Sequence, residues 1–288
     1  MVRLIVHADD FGLTEHVNAG IVQAHREGIL TSASITANGV AFAQAITLAR
    51  ANPSLDVGIH LTLVEEMPVL HPESIPSLVE RDGRFPPHAS NFFLKYLSGR
   101  IRLAEIRREL EAQIQKILAT GIRVTHFDSH QHLHVLPGIL RLTAELAATY
   151  GVPAIRLPDE RLPLSVIWNS GSLARLLQMR VLGFFCRRGA RHVPLRPDHF
   201  FGFWWGGRLN RENLRSTLQL LPSQGTCELM CHPGKADHDS AYRHWNYQWQ
   251  EELEALTDAG IAAFIRERGI RLCSYRELGG EAVSQLGS

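Results

Sequence analysis

Two adjacent carboxylates follow a short apolar run near the start of the chain. In VRLIVHADDFG, the run LIV leads into Asp9 and Asp10. Like charges at the mouth of a buried strand repel each other, and burial raises the pKa of at least one of them. A bound cation commonly offsets this repulsion. The pair therefore predicts a metal site in which one aspartate binds the ion and the other stays free as a base.

A second concentration of polar side chains lies in THFDSHQHLH, residues 125–134. Its imidazoles and carboxylate occupy alternating positions: His126, Asp128, His130, His132 and His134. In an extended segment all five share one face, and in a helix His126, His130 and His134 share another. Neutral imidazole is the commonest metal ligand in proteins. We expect one or two of these histidines to bind metal and the others to orient ligands or substrate. The alternative is a solvated loop.

Single polar side chains also stand at the ends of three other apolar runs. His60 interrupts VGIHLTL, Arg156 ends PAIRL, and His232 follows LMC. The carboxyl ends of parallel strands meet at one mouth, so these side chains are candidates for the same site. Each also has a structural alternative. His60 is then a core histidine, Arg156 a partner for a buried carboxylate such as Asp9, and His232 a turn residue.

The elements that position these residues follow from hydrophobic periodicity. Strand-like runs alternate with helical ones in which apolar residues recur every three or four positions. The predicted strands are 3–8, 31–37, 57–63, 122–128, 153–157, 226–231 and 270–274, and the predicted helices are 15–27, 40–51, 103–119, 138–149, 210–221 and 250–268. This alternation predicts an α/β fold, a distorted (β/α) barrel, complete or incomplete, with about seven parallel strands and helices outside.

The composition is that of an ordinary globular chain. Of 288 residues, 45% are hydrophobic, and the net charge of +1 lacks the basic excess of a nucleic-acid binder. We expect one domain over residues 1–288, with insertions 64–100 and 158–209 over the mouth of the barrel. The first apolar run is too short for a signal peptide, and no run of 18 apolar residues occurs. A cytoplasmic protein is therefore expected.

The insertion 158–209 has an unusual composition. Between residues 161 and 197 there are seven arginines and no acidic residue, and segment 165–190 mixes these arginines with Leu, Met and Phe at helical spacing. A basic amphipathic helix is typical of segments that lie on an anionic membrane, which predicts peripheral contact with the inner membrane surface. The next stretch, DHFFGFWWGG, offers Phe203 and Trp204 for stacking on a sugar ring. The alternative is a lid that packs on the barrel.

Several motifs together identify a family. ADDFG, GIHLTL, THFDSHQHLH, MCHPG and SYREL occur in this order along nearly the whole chain. In these motifs the chain resembles the YdjC-like carbohydrate deacetylases, the family of diacetylchitobiose deacetylase. VEEMPVL and IPSLVERDGRF are most similar to its hopanoid-biosynthesis-associated branch. The resemblance implies a barrel of the polysaccharide-deacetylase type that removes an N-acetyl group from an amino sugar and releases acetate and a free amine.

The resemblance also implies a metal centre. A divalent ion, with Zn²⁺ and Mg²⁺ as the main candidates, would be held by Asp10, His60 and His130. The residue types do not decide between these metals, because imidazole suits Zn²⁺ and carboxylate suits both. The residues expected to bind substrate or to support the ligands are Asp128, His132, His134, Phe203 and Trp204.

Amide hydrolysis requires an activated water, a polarised carbonyl and a proton for the departing nitrogen. The resemblance implies Asp9 as the general base and His232 as the general acid, with Arg156 steadying the base. The implied substrate is an N-acetylglucosaminyl hopanoid, and small chitooligosaccharides such as diacetylchitobiose are the alternative. A homodimer is left open.

Three other functions remain open from the residue types alone. A glycosidase needs carboxylates that face each other, whereas the adjacent side chains of Asp9 and Asp10 are expected to diverge along a strand. A metal-dependent phosphoesterase uses similar ligands and would release phosphate. A non-catalytic carbohydrate-binding protein on the membrane surface would keep a closed metal site with four protein ligands.

Overall fold

Strands and helices alternate along the computed structural model, which describes residues 1–163, 172–193, 195–237 and 241–278. The strands are β1 Val2–Phe11, β2 Ser32–Ile35, β3 Asp56–Leu61, β4 His126–Ser129, β5 Ala154–Ile155, β6 His199–Phe201, β7 Gly225–Cys231 and β8 Arg271–Cys273. The described α-helices are α1 Glu15–Glu27, α2 Phe42–Ala51, α3 Ala89–Leu97, α4 Leu103–Leu118, α5 Ile139–Thr149, α6 Leu173–Gly189, α7 Arg211–Gln219, α8 Trp249–Leu256 and α9 Ala259–Glu267.

The strands form one parallel sheet that curls toward closure. Its order is β5-β4-β3-β2-β1-β7-β6, and β8 pairs with the first half of β1. A single parallel bridge between Glu160 and Phe200 joins the segment after β5 to β6. Helices pack against the sheet, with α1 on β1, α4 on β3 and α5 on β4. The predicted distorted (β/α) barrel is confirmed.

The central strand β1 carries the first polar residues to the site. All of its residues except Arg3 are buried. A parallel strand that is covered on both faces needs apolar side chains at successive positions, which explains the run LIV. The chain then turns into α1, where the Thr14 hydroxyl accepts a hydrogen bond from the Val17 N–H at 3.2 Å. This N-cap starts α1 only a few residues after the end of β1. No long loop therefore separates the two elements at the carboxyl end of β1.

Some elements differ from the sequence prediction. The sequence does not predict β6 or α3, because a three-residue strand and a helix inside a Pro-rich segment show too little periodicity. The predicted helix 250–268 is two helices, α8 and α9. Asp258 begins the second one, since its Oδ1 accepts a hydrogen bond from the Ile261 N–H at 2.9 Å. β4 begins at His126 instead of residue 122.

The two predicted insertions contribute one described α-helix each. Segment 64–100 contains α3, and segment 158–209 contains α6 and β6. Of the predicted membrane-contact segment 165–190, residues 165–171 lie outside the described residues. The rest of the segment consists of α6 and the residues directly beside it. Among the helices that the structure describes, none is both long and apolar enough to span a bilayer.

Candidate functional site

The end of β1 leaves regular strand geometry and brings both carboxylates to the site. The pairing of β1 with β2 shifts register between Ala8 and Phe11, and Asp10 has a left-handed backbone with φ of 67°. An irregularity of this kind re-aims a side chain. Asp9 and Asp10 each have a carboxylate oxygen within 4.8 Å of a nitrogen of His60. The sequence predicts that the two adjacent side chains diverge along the strand, and in the structure both of them still reach His60.

Asp10, His60 and His130 meet at the carboxyl ends of β1, β3 and β4. Asp10 Oδ1 lies 3.3 Å from His60 Nε2 and 3.2 Å from His130 Nδ1. Two donors that each lie about 2.1 Å from one ion stand about 3.0–3.4 Å apart at octahedral or tetrahedral angles. Asp10 Oδ2 is buried and accepts no hydrogen bond from the described residues. The spacing and this unpaired acceptor both fit a cation.

The outer nitrogen of each imidazole faces a carboxylate. His60 Nδ1 lies 2.9 Å from Asp128 Oδ1, and His130 Nε2 lies 2.7 Å from Glu65 Oε2. Carboxylates in this position orient metal-binding histidines and hold the proton on the nitrogen away from the ion. Asp128 was among the predicted supporting residues. Glu65 was not, although it lies in the quoted stretch VEEMPVL, a few residues after the end of β3.

These contacts shift the pKa values of the three residues strongly. Burial lowers the pKa of His60, but Asp128 and Asp10 outweigh burial and raise it to about 10. Burial likewise lowers the pKa of His130, and hydrogen bonds to Asp10 and Glu65 raise it to about 9. Burial raises the pKa of Asp10, yet the two imidazoles hold it well below its usual range. The surroundings of both imidazoles therefore favour their protonated forms when no metal is bound, and one divalent ion can replace two imidazolium protons without changing the charge.

Arg156 joins three buried carboxylates beside this cluster. Its guanidinium donates to both oxygens of Asp9, at 2.9 and 2.8 Å, and to Glu228 Oε1 at 2.8 Å. Its Nη1 lies 2.9 Å from Asp128 Oδ2. Burial raises the pKa of Asp9, but the Arg156 guanidinium offsets burial and holds it below its usual range. Asp9 therefore stays ionised, and Arg156 is the partner of a buried carboxylate that also borders the candidate metal site.

A cavity of about 480 Å³ opens over Asp9, His130 and His232. The His232 side chain is buried at the end of β7, and its Nδ1 has no hydrogen-bond partner in the described part of the chain. The Tyr247 ring packs against it with 4.7 Å between centroids. The remaining wall is largely apolar and includes Phe93 of α3, Val181, Leu182 and Phe185 of α6, and Leu136 and Met230.

The histidine-rich segment is an extended strand only as far as Ser129, so neither of the two arrangements predicted for its side chains holds over the whole segment. β4 ends at Ser129, and Gln131 and His132 then have left-handed backbones with φ of 50° and 56°. This turn brings His132 into the cavity wall. His134 turns inward instead, with Nδ1 2.6 Å from Ser129 Oγ and Nε2 2.8 Å from the Arg156 carbonyl. His134 therefore ties the turn to β5 and does not face the cavity.

The remaining predicted residues divide between the cavity and the interior. Phe203 lines the cavity. Trp204 does not: it is 2% exposed and lies in a separate apolar cluster with Met179. His126 is fully buried and stacks on Tyr275 with 3.8 Å between ring centroids. Of the two aromatic residues predicted to contact a sugar, Phe203 is the one that is placed to do so.

Known proteins match this chain over nearly its full length. A family model described as "YdjC-like protein" matches residues 3–267. The chain belongs to the YdjC-like family. A curated relative named "Carbohydrate deacetylase" from Brevibacillus brevis is 34% identical over 280 residues, which are 96% of this chain and all of the relative. A relative of the same name from Mus musculus is 34% identical over 303 residues, 96% of this chain and 95% of the relative.

A solved structure supports the same relationship for this YdjC-like chain. It comes from Enterococcus faecalis V583 and is named, only provisionally, as a cellobiose-phosphate cleavage protein. It superposes with a TM-score of 0.75 and is 29% identical. The match covers 96% of this chain and 98% of the other.

Backbone strain in this YdjC-like chain is concentrated around the candidate metal site. Five described non-glycine residues have positive φ, and four of them border the site: Asp10, Glu65, Gln131 and His132. Each left-handed residue costs about 1–2 kcal/mol unless it is Gly. Such strain persists where surrounding contacts determine a functional geometry. The left-handed residues therefore mark the same region as the candidate metal ligands, and they do so through backbone conformation and not through side-chain type.

Proposed function

We propose that this YdjC-like chain is a metal-dependent carbohydrate N-deacetylase that removes the acetyl group of an acetylated amino sugar and leaves the free amine. Its curated relatives are named carbohydrate deacetylases. The observation that carries the proposal is that two carboxylates with different surroundings lie at the same mouth of the barrel. Asp10 lies between His60 and His130, and Asp9 is held as an anion by Arg156.

Asp10, His60 and His130 would hold the divalent ion. When bound, such an ion acidifies a water molecule and polarises the carbonyl of the substrate amide. In the structure both imidazoles present a nitrogen to the same oxygen of Asp10, and because Mg²⁺ prefers oxygen ligands we expect such a set to bind Zn²⁺ more tightly. Metal analysis of the purified protein tests this preference.

Two cavity residues would carry the proton transfers. Asp9 is ionised and borders the cavity, so it can accept the proton of the attacking water. His232 lies in the wall of the same cavity and would protonate the departing nitrogen, because an amine is a poor leaving group without a proton. The glycosidase alternative is not favoured. Both oxygens of Asp9 are bound to Arg156, so Asp9 and Asp10 do not face each other across a substrate bond.

Metal binding is expected to release about two protons per ion at pH 7, because His60 and His130 must lose their protons to bind. Their raised pKa values oppose binding, so the apparent affinity rises with pH, steeply up to about pH 9 and less steeply from there to about pH 10. Calorimetric titration with Zn²⁺ in buffers of different ionisation enthalpy counts the protons. The exposed His71 provides a control, and His71→Asn should leave the count unchanged. Binding without proton release would contradict the proposed ligands.

We propose further that the sugar is linked to an apolar group, as in an N-acetylglucosaminyl hopanoid. The apolar cavity wall supports this, and so does an apolar stripe on α6. The side chains of this stripe lie three or four residues apart along α6. Their exposed fractions are 81% for Leu173, 64% for Leu177, 40% for Val181 and 48% for Phe184. Leu177 and Val181 also line the cavity. The described residues 172–193 include arginines but no acidic residue, which fits peripheral contact with an anionic bilayer.

Acetate release on two substrates tests the substrate class. We expect a higher kcat/KM for an N-acetylglucosaminyl lipid in vesicles than for diacetylchitobiose, because only the lipid fills the apolar wall. A preference for diacetylchitobiose would assign the cavity to chitooligosaccharides. Release of acetate from neither substrate, with metal bound, would favour the non-catalytic carbohydrate-binding alternative.

Vesicle binding tests the membrane contact separately. The double variant Leu173→Ser/Phe184→Ser is expected to bind anionic vesicles about 10²–10⁴-fold more weakly, since each of the two apolar side chains contributes about 1.5–3 kcal/mol when buried. Neither residue lines the cavity, so turnover of a soluble sugar should not change. Val40 is 83% exposed and lies outside α3 and α6, which makes Val40→Ser the matched control. Equal vesicle binding by all three proteins would exclude this contact.

A further inference from the structure

Glu65 has no part in the proposed proton transfers, yet it contacts a proposed metal ligand. It follows β3 in a left-handed conformation with φ of 69°, and its side chain is 7% exposed. We propose that Glu65 is the positioning residue of His130: its carboxylate accepts a hydrogen bond from Nε2 and so directs Nδ1 toward Asp10. The inference rests on the metal site of the proposed function and adds a residue to it.

The two imidazoles of the site present opposite nitrogens to Asp10. His60 presents Nε2 and His130 presents Nδ1. A histidine binds a metal through an unprotonated nitrogen, so its remaining proton must lie on the other one. For His130 that nitrogen is Nε2, which lies 2.7 Å from Glu65 Oε2. An acceptor at this place selects the tautomer that leaves Nδ1 free for the ion.

The second oxygen of Glu65 connects this contact to an aromatic residue. Glu65 Oε1 accepts a hydrogen bond from Trp245 Nε1 at 3.1 Å. The Trp245 ring lies against the His130 imidazole with 5.0 Å between centroids and 31° between planes. The imidazole is thus held at its edge by Glu65 and on its face by Trp245. Such support from two directions restricts both the position and the rotation of the ring.

The neighbouring Glu66 makes a comparable contact with a residue that is not a proposed ligand. Its Oε1 accepts a hydrogen bond from Tyr242 Oη at 2.7 Å, and the Tyr242 ring packs on Trp245 with 4.7 Å between centroids. Both glutamates therefore anchor the segment that follows residue 241, but only Glu65 bonds His130. A pair of matched variants separates an effect on the imidazole from an effect on this segment.

The experiment compares Glu65→Gln with Glu66→Gln in the full-length protein, using Co²⁺ as the probe. Co²⁺ affinity is measured by competition titration, together with the visible absorption of the bound ion and the melting temperature. We expect Glu65→Gln to bind Co²⁺ about 10–100-fold more weakly and with an altered spectrum. His130 faces Oε2 of Glu65 and Trp245 faces Oε1, so glutamine must place its NH₂ group, which is a donor, opposite one of them. Glu66→Gln should retain the wild-type affinity and spectrum.

Three results would overturn the inference while leaving the proposed function intact. These are an unchanged Co²⁺ affinity in Glu65→Gln, equal losses in both variants, or the full loss reproduced by Trp245→Phe, which removes the indole N–H but not the carboxylate. If the wild-type protein binds no Co²⁺, the proposed metal site itself fails. Because the readout is metal binding, none of these outcomes depends on having the right substrate.

Discussion

Replacing Asp9 by asparagine is expected to lower kcat by about 10²–10⁴-fold while metal binding persists. Asparagine has nearly the same shape but cannot accept the proton of the attacking water. Asp9 also approaches His60, together with Asp128, but it is not among the proposed ligands because Arg156 donates hydrogen bonds to both of its oxygens. Acetate release and metal stoichiometry, measured on the same preparation, check both parts of this expectation.

The neighbouring residue supplies the control for this variant. Asp10→Asn removes the only carboxylate among the proposed ligands, so it should lose the ion together with the activity. Asp9→Asn should lose the activity alone. An Asp9→Asn protein that is metal-loaded and fully active would eliminate Asp9 as the base. An Asp9→Asn protein that binds no metal would instead place Asp9 among the ligands.

Replacing Arg156 by leucine is expected to lower the free energy of unfolding by about 3–5 kcal/mol. Arg156 is 0% exposed and is the shared partner of Asp9, Asp128 and Glu228. Leucine would leave three carboxylates buried with no guanidinium between them. Urea denaturation of the metal-free protein at pH 7 measures the effect.

A surface pair provides the comparison for Arg156→Leu. Arg161 is 73% exposed and pairs with Asp159 at 2.9 Å, so Arg161→Leu should cost less than about 1 kcal/mol. Arg156→Lys should fall between the two, because an ammonium group cannot bind Asp9 through two parallel hydrogen bonds. Equal stabilities for Arg156→Leu and Arg161→Leu would show that the buried carboxylates are protonated or hydrated instead of paired.

The sequence alone determined which residue types stand at the strand ends. A strand that is buried on both faces must be apolar, so polar residues at the ends of such runs, like His60 and His232, are conspicuous. Parallel strands then direct these ends to one mouth. This reasoning brings the two aspartates, His60 and the histidine-rich segment to one mouth, and the resemblance to the YdjC-like family then selects Asp10, His60 and His130 among them. The same periodicity located α1 at its observed bounds, 15–27.

Only the tertiary structure decided how these side chains are used. The irregularity at the end of β1 directs both Asp9 and Asp10 to the site, and it depends on the pairing of β1 with β2. The orientation of His130 depends on Glu65, which lies 65 positions away in the chain. Local patterns carry no information about such pairs, because a hydrogen bond between distant residues is specified by packing and not by spacing along the sequence. The physical division is between periodicity, which is local, and side-chain contact, which is not.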